Sequence, residues 1–444
     1  MSRVEWRSEL RPTLALASPV VLGQLGLMSM SLVDTALVGR LGSAAVAAVA
    51  VANAVFGIGF MFGLGLLLGL DRVVAFADGA DRPDDVRRTL VQGQFLALGV
   101  ALPSSVLTLI LGTQLHRLGV EPEVLSGARS YLSVMAWSLW PALAFTAIRQ
   151  SLQGLGQTRV ATVTSVIANV VNYAGNILFI EGHAGLSAMG VVGSAWATFV
   201  ARLFMLSVLA WHARGHFAQA PLRPERERLV ELLRLGVPAG LHLVVEGGVF
   251  AFVTLLAARI SASAGAAHQI VLQVASFTFM IPLGISSAGS VRVGHALGRG
   301  DVTAARRAGW VAVGLGVFCM AASGVLLLAF GERVLSVFHA TSEVVEIARL
   351  LLICAGFFQV FDGAQAVLAG VLRGAGDTVS SMTANLVGHW VVGLPIGAAL
   401  CYGMGWGVAG LWVGLALGLG LVAFALGLIW HRRMASTAPA TMVA

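Results

Sequence analysis

The chain has 444 residues, 57% of them hydrophobic and only 11% charged, where a soluble globular domain carries about 25% charged residues. Apolar stretches of about 20 residues recur from end to end, which excludes an ordinary soluble enzyme and marks a polytopic membrane protein. The net charge of +7 does not indicate nucleic acid: all 28 basic residues are arginine, and they gather in short loops, where they orient membrane spans.

In chain order, a short charged start (Arg3, Glu5, Arg7, Glu9, Arg11) precedes an apolar run too long for a signal-peptide core and without a small-residue cleavage site, so it reads as a retained first span. Spans are predicted at 12–38, 44–70, 89–112, 130–150, 160–180, 189–211, 235–258, 266–290, 308–330, 350–371, 379–402 and 407–430. Each is long enough to cross about 30 Å of hydrocarbon as a helix. The first holds Asp34, six residues before Arg40. The fifth holds Asn169 and Asn172, three apart and able to share a face, with Asn176 beyond them. The sixth holds Thr198 and Arg202. Snorkelling or pairing with another helix suits Arg202 better than transport. The seventh holds Glu246, 12 residues past Arg234 and so about 18 Å into the membrane. The tenth holds Asp362, again near mid-membrane. A charge at the centre of a membrane helix costs roughly 3 kcal/mol, so such acids face a cavity or a partner, where they bind ions, protons or cations. Glu246 and Asp362 could together hold Na⁺, or share a proton, because close carboxylates do not ionise independently. His268 and His389 lie in spans and read as packing residues. Cys319, Cys354 and Cys401 also lie in apolar runs, without metal-ligand spacing, and read as small buried hydrophobes.

The arginines test the layout. Twenty-one fall in loops on one side, six on the other, and Arg202 lies within a span. That asymmetry places both termini in the cytoplasm, as twelve spans require. The chain divides into a six-span lobe (1–211), a cytoplasmic linker rich in proline and charge (212–234), and a second six-span lobe (235–444). The halves resemble each other at an offset of 216–220 residues. Leu152-Gln153-Gly154-Leu155-Gly156-Gln157-Thr158 pairs with Leu372-Arg373-Gly374-Ala375-Gly376-Asp377-Thr378, and Phe60-Met61-Phe62 with Phe277-Thr278-Phe279. Arg87-Arg88 pairs with Arg306-Arg307, and Trp196 with Trp412. Six spans per repeat give parallel halves, related by a pseudo-two-fold axis along the membrane normal, with the substrate cavity expected between them. The fold class is therefore all-α, with twelve transmembrane helices in two bundles. Pro19, Pro238, Pro282 and Pro395 are candidate kinks.

Three segments carry a family resemblance: Pro238 to Glu246 (PAGLHLVVE), Ala267 to Asp301, and Phe357 to Thr378 (FFQVFDGAQAVLAGVLRGAGDT). Pro19 to Gly42 and Asn169 to Thr198 fit as well. Together they resemble the multidrug and toxic compound extrusion (MATE) transporters, the NorM-like branch in particular. The resemblance implies export of amphiphilic organic cations driven by inward Na⁺ or H⁺, in a bacterial inner membrane, by a monomer with no cofactor. It matches Glu246 and Asp362 to the family's second-lobe acids, Asp34 to the acid of the first helix, and Asn169, Asn172 and Thr198 to the first-lobe polar cluster. The sequence departs from some members in one respect: its fifth span offers only Asn169, Asn172 and Asn176, and no acid. Competing readings are fewer. A flippase for lipid-linked precursors would show a cationic cavity, whereas the candidates here are acidic. Export of another metabolite on the same fold stays open. A major-facilitator antiporter would carry a signature loop after the second span, which Gly69 to Val74 does not match. No G-x-x-x-x-G-K-[ST] sequence supplies ATP coupling, and no clustered metal or nucleophile constellation indicates an enzyme.

Overall fold

The computed structural model describes residues 3–118, 121–183, 185–338 and 340–436. The outermost ends of the two predicted lobes, 1–2 and 437–444, lie outside the described residues. Among the described residues there is no strand. Long helices follow one another: α1 Arg3–Gly39, α2 Ser43–Gly79, α3 Pro83–Gln114 with a 3₁₀ extension Leu115–Leu118, α4 Pro122–Gly154, α5 Thr158–Ile180 and α6 Val191–Ala218. After them come α7 Arg226–Ile260, α8 Ala262–Gly298, α9 Val302–Ser336, α10 Ser342–Gly374, α11 Val379–Gly403 and α12 Gly407–Ser436. Among the described residues, twelve helices are long and apolar enough to cross a membrane. Large apolar side chains cover their outer faces: Phe318, Phe424 and Trp211 are at least 70% exposed, as lipid contact requires and water would penalise.

Most helices outrun the predicted spans by a turn or more, because an apolar run marks hydrocarbon, not the helix end. Of the 212–234 stretch only 219–225 is non-helical. The rest continues α6 and α7 in good helix formers such as Arg, Glu and Leu. The short connection is pinned to α3. The buried Gln92 side chain donates to the Arg223 carbonyl at 2.8 Å and accepts from the Glu225 amide at 2.9 Å. Arg228 joins Asp85 at 2.5 Å and Glu225 at 2.9 Å.

The chain forms two compact units, Leu22–Gly240 and Met1–Val21 with Leu241–Ala444. Their limits fall just past Pro19 in α1 and Pro238 in α7, through both of which the helix continues. Within the first unit, Gly236 and Gly240 of α7 lie against the α2 backbone at Leu66 and Phe62, where a Cβ would collide. Within the second, Gly284 of α8 sits equally close to Ala17 and Val21 of α1, and Arg292 pairs with Glu9.

The internal repeat is visible as repeated local geometry. After α4, Gly156 turns at φ 75° and the Gln157 amide reaches back to Leu152 O at 2.8 Å. After α10, Gly376 turns at φ 80° and the Asp377 amide reaches Leu372 O at 2.9 Å. Both follow the αL helix-ending pattern that glycine permits. Asp377 adds a cap of its own, accepting from the Ser380 amide at 3.0 Å and from Arg433 at 2.9 Å.

Helix α11 is irregular. Leu386–Gly393 and Ala399–Gly403 are π-helical, flanking a short α-helical turn that contains Pro395. A π turn widens the helix and is frequent at functional sites.

Candidate functional site

In the unit Leu22–Gly240, Asp34 is 7% exposed and each oxygen of its carboxylate accepts a hydrogen bond. Asn176 of α5 donates to Oδ1 at 2.6 Å, and Thr198 of α6 donates to Oδ2 at 2.9 Å. Asn172 holds this arrangement: its side chain lies 3.5 Å from the Thr198 hydroxyl, and its Oδ1 accepts from Asn176 at 3.2 Å. Asn172 and Asn176 are both fully buried, and among the described residues Asn176 Oδ1 has no hydrogen-bond partner. The cluster thus presents one carboxylate and several amide or hydroxyl oxygens, a donor set suited to a small hard cation or a proton. Asn169 ends elsewhere: its amide donates to Gly26 O and Ser165 O, each at 2.9 Å, and joins α5 to α1. Asn176, one turn beyond Asn172, occupies the carboxylate instead.

Arg202 lies one turn beyond Thr198. Its guanidinium donates to Ser138 Oγ at 2.5 Å and covers the rings of Phe56 and Phe60, 4.8 and 5.8 Å from their centres. The two rings stack on each other at 5.6 Å. Arg202 therefore stays inside the lobe among aromatic faces.

In the other unit, Glu246 has a side chain only 13% exposed and two neighbours on its carboxylate. His242, one turn earlier on α7, approaches Oε2 at 3.4 Å, and Gln365 of α10 donates to Oε1 at 3.2 Å. The same Gln365 amide lies 3.2 Å from Asn385 Oδ1 on α11. Asp362, 6% exposed, lies one turn before Gln365 and within electrostatic reach of Glu246. His389 is completely buried in the π-helical part of α11. Among the described residues neither ring nitrogen has a hydrogen-bond partner, and the ring lies within electrostatic reach of Glu246. The structure thus brings Glu246 and Asp362 together with four polar residues that the acidic pattern alone does not mark: His242, Gln365, Asn385 and His389. The spacing signals were present for two of them, His242 four residues before Glu246 and Gln365 three after Asp362.

His268 is a different case. Trp412 Nε1 donates to its Nδ1 at 3.1 Å, and its Nε2 faces Thr254 Oγ1 at 3.0 Å. Thr254 already donates its proton to Phe250 O at 2.8 Å. An indole N–H only donates, so the ring is neutral, with its proton on Nε2. Both nitrogens are satisfied and His268 is a packing residue.

A family model for MatE matches residues 19–178 and 238–399, opening each match on the paired prolines. The chain belongs to the MATE family. It is 34% identical to the probable multidrug resistance protein NorM of Brucella suis biovar 1, over 97% of this chain and 94% of the relative. It is 37% identical to the protein of that name in Rhodopseudomonas palustris, over 99% and 95%. A MOP superfamily transporter from Pyrococcus furiosus, whose binding pocket is described as of reverse polarity, superposes with a TM-score of 0.90 at 20% identity, over 97% of both chains. That likeness establishes the shared fold. As a MATE chain the protein is an all-α, multi-pass membrane transporter and not an enzyme.

Proposed function

We propose that this MATE transporter is a secondary antiporter, working as a single chain in a bacterial inner membrane with both termini cytoplasmic. It exports amphiphilic organic cations in exchange for inward Na⁺ or H⁺. The observation that carries the reading is the pair of buried carboxylate clusters, Asp34 with Asn172, Asn176 and Thr198, and Glu246 with Asp362, Gln365 and Asn385. Each places an acid deep in a membrane helix, where it costs roughly 3 kcal/mol unless it serves a cation. The names of the curated relatives support multidrug substrates, and the arginine asymmetry supports the orientation. The acidic character of both clusters disfavours a polyphosphate-bearing lipid precursor as cargo.

The test is flux of a fluorescent organic cation from proteoliposomes under an imposed Na⁺ or H⁺ gradient. Glu246→Gln and Asp362→Asn are each expected to abolish gradient-driven efflux while the protein stays folded in the membrane. Wild-type transport in both folded variants would remove the second cluster from the mechanism. Orientation is read separately. In a background lacking Cys319, Cys354 and Cys401, a cysteine in 219–225 should react with an impermeant thiol reagent from inside, and one near Gly182, at the exposed Glu181, from outside. Reversed labelling overturns the orientation.

A further inference from the structure

Arg202 is a charged group that the antiport scheme does not use. Among the described residues it makes no ion pair within contact distance, although burying a guanidinium in a membrane helix is expensive. What holds it is the Ser138 hydroxyl at 2.5 Å and the stacked faces of Phe56 and Phe60. Cation–π contacts of this kind stabilise a desolvated guanidinium, which keeps its charge in proteins. Thr198 and Arg202 are four apart on α6 and share a face. Thr198 touches Asp34, so Arg202 follows, by one helical turn, the residue that holds the carboxylate.

We propose that Arg202 is a resident cation of the Asp34 cluster, tethered by Ser138 and the two phenylalanines at a distance that weakens, but does not replace, the coupling ion. The inference rests on the reading that Asp34 binds that ion. A fixed positive charge near the carboxylate raises the free energy of a second cation entering beside it. In the low dielectric of a membrane protein interior this effect extends over a helical turn or more. An antiporter must release its ion on every cycle, and the tethered charge makes that release easier. Arg202 is thus a positioning residue that sets ion affinity and does not itself carry the ion.

The two ends of the tether give opposite signs. Arg202→Met removes the charge, so the half-saturating concentration of the coupling ion is expected to fall roughly tenfold, with a lower maximal rate as release slows. Ser138→Ala frees the guanidinium to approach Asp34 and compete directly, so the half-saturating concentration should rise severalfold. Both are measured as drug efflux from proteoliposomes against Na⁺ at fixed pH, and against pH at fixed Na⁺. Folding is checked by gel filtration and thermal unfolding. Should Arg202→Met fail to fold, Ser138→Ala alone decides. Unchanged half-saturation in the folded variants, or shifts of the same sign, overturns the proposal and leaves Arg202 a packing residue. Asp34→Asn separates the two levels. If it leaves the ion dependence intact, the assignment of ion binding to Asp34 fails and takes this inference with it. If it removes that dependence while the Arg202 and Ser138 variants do not shift it, only the inference fails.

Discussion

Asn169 and Asn176 sit seven positions apart on one helix and do different things. Asn169 spends its amide on the α1 and α5 backbones, whereas Asn176 holds the Asp34 carboxylate. Replacing Asn176 with Leu removes a donor from a buried charge, a contact worth about 1.5–3 kcal/mol. Asn176→Leu is expected to fold and to lose at least tenfold in ion-driven efflux, measured in proteoliposomes. Asn169→Leu should keep efflux and lose about 1 kcal/mol of stability. Equal transport in the two variants would remove Asn176 from the site. His268 provides the complementary control. His268→Phe leaves the buried Trp412 indole without its acceptor and should cost about 1–3 kcal/mol in thermal unfolding without moving the ion dependence. A shifted ion dependence would return His268 to the coupling path. The acids Asp34, Glu246 and Asp362 were legible in the sequence because charge inside an apolar run is conspicuous. Asn176, Gln365 and Asn385 were not, because neutral polar residues in membrane helices serve equally as interhelical contacts, and only the packing partner tells the two apart.

Among the elements, the repeated helix endings make a direct comparison. The turn after α8 uses Gly300 at φ 76°, with the Asp301 amide bonding Ala296 O at 2.9 Å. The corresponding turn after α2 places Asp81 at φ 55°, with the Arg82 amide bonding Ala77 O at 2.9 Å. A residue with a Cβ pays about 1 kcal/mol or more to sit in the left-handed region, which glycine enters freely. Asp81→Gly is therefore expected to raise stability by about 0.5–1 kcal/mol, with transport unchanged. A loss of stability on thermal unfolding would mean that the Asp81 side chain contributes more than its backbone costs. Span count and the LQGLGQT and LRGAGDT turns were readable from apolar length and glycine spacing. The π-helical course of α11 was not, since hydropathy is blind to whether a helix closes its hydrogen bonds at four residues or five. His389 is placed by that irregular course, whereas Asn385 is the last α-helical residue before it.

For the whole molecule, two separate acidic clusters leave room for more than one ion per cycle. If two monovalent ions enter as one monovalent drug leaves, one net charge moves inward. A potential of 100 mV then supplies about 2.3 kcal/mol, equivalent to roughly a 50-fold concentration ratio. With the coupling ion equal on both sides of a liposome, an inside-negative potential alone is expected to drive a monovalent drug outward. An active preparation without potential-dependent flux would exclude this stoichiometry while leaving antiport standing. Hydropathy marked the spans well. It carried no information on which neighbours each span packs against, because lipid and protein interiors are equally apolar. The division of α1 and α7 just past their prolines is accordingly seen only in the packing of Gly236, Gly240 and Gly284.

That division bears on how the protein is made. The unit Leu22–Gly240 is one unbroken stretch of chain, free to pack as soon as it is synthesised. The other unit needs residues 1–21, which leave the ribosome before the roughly 220 residues that separate them from their partners, a delay of roughly 10–45 s at about 5–20 residues per second. During that interval the first half of α1 has been made and α8 has not. The pair formed by Glu9 and Arg292 and the close seat of Gly284 are therefore late events, and the second unit is the one whose maturation depends on an early segment having been kept from other contacts.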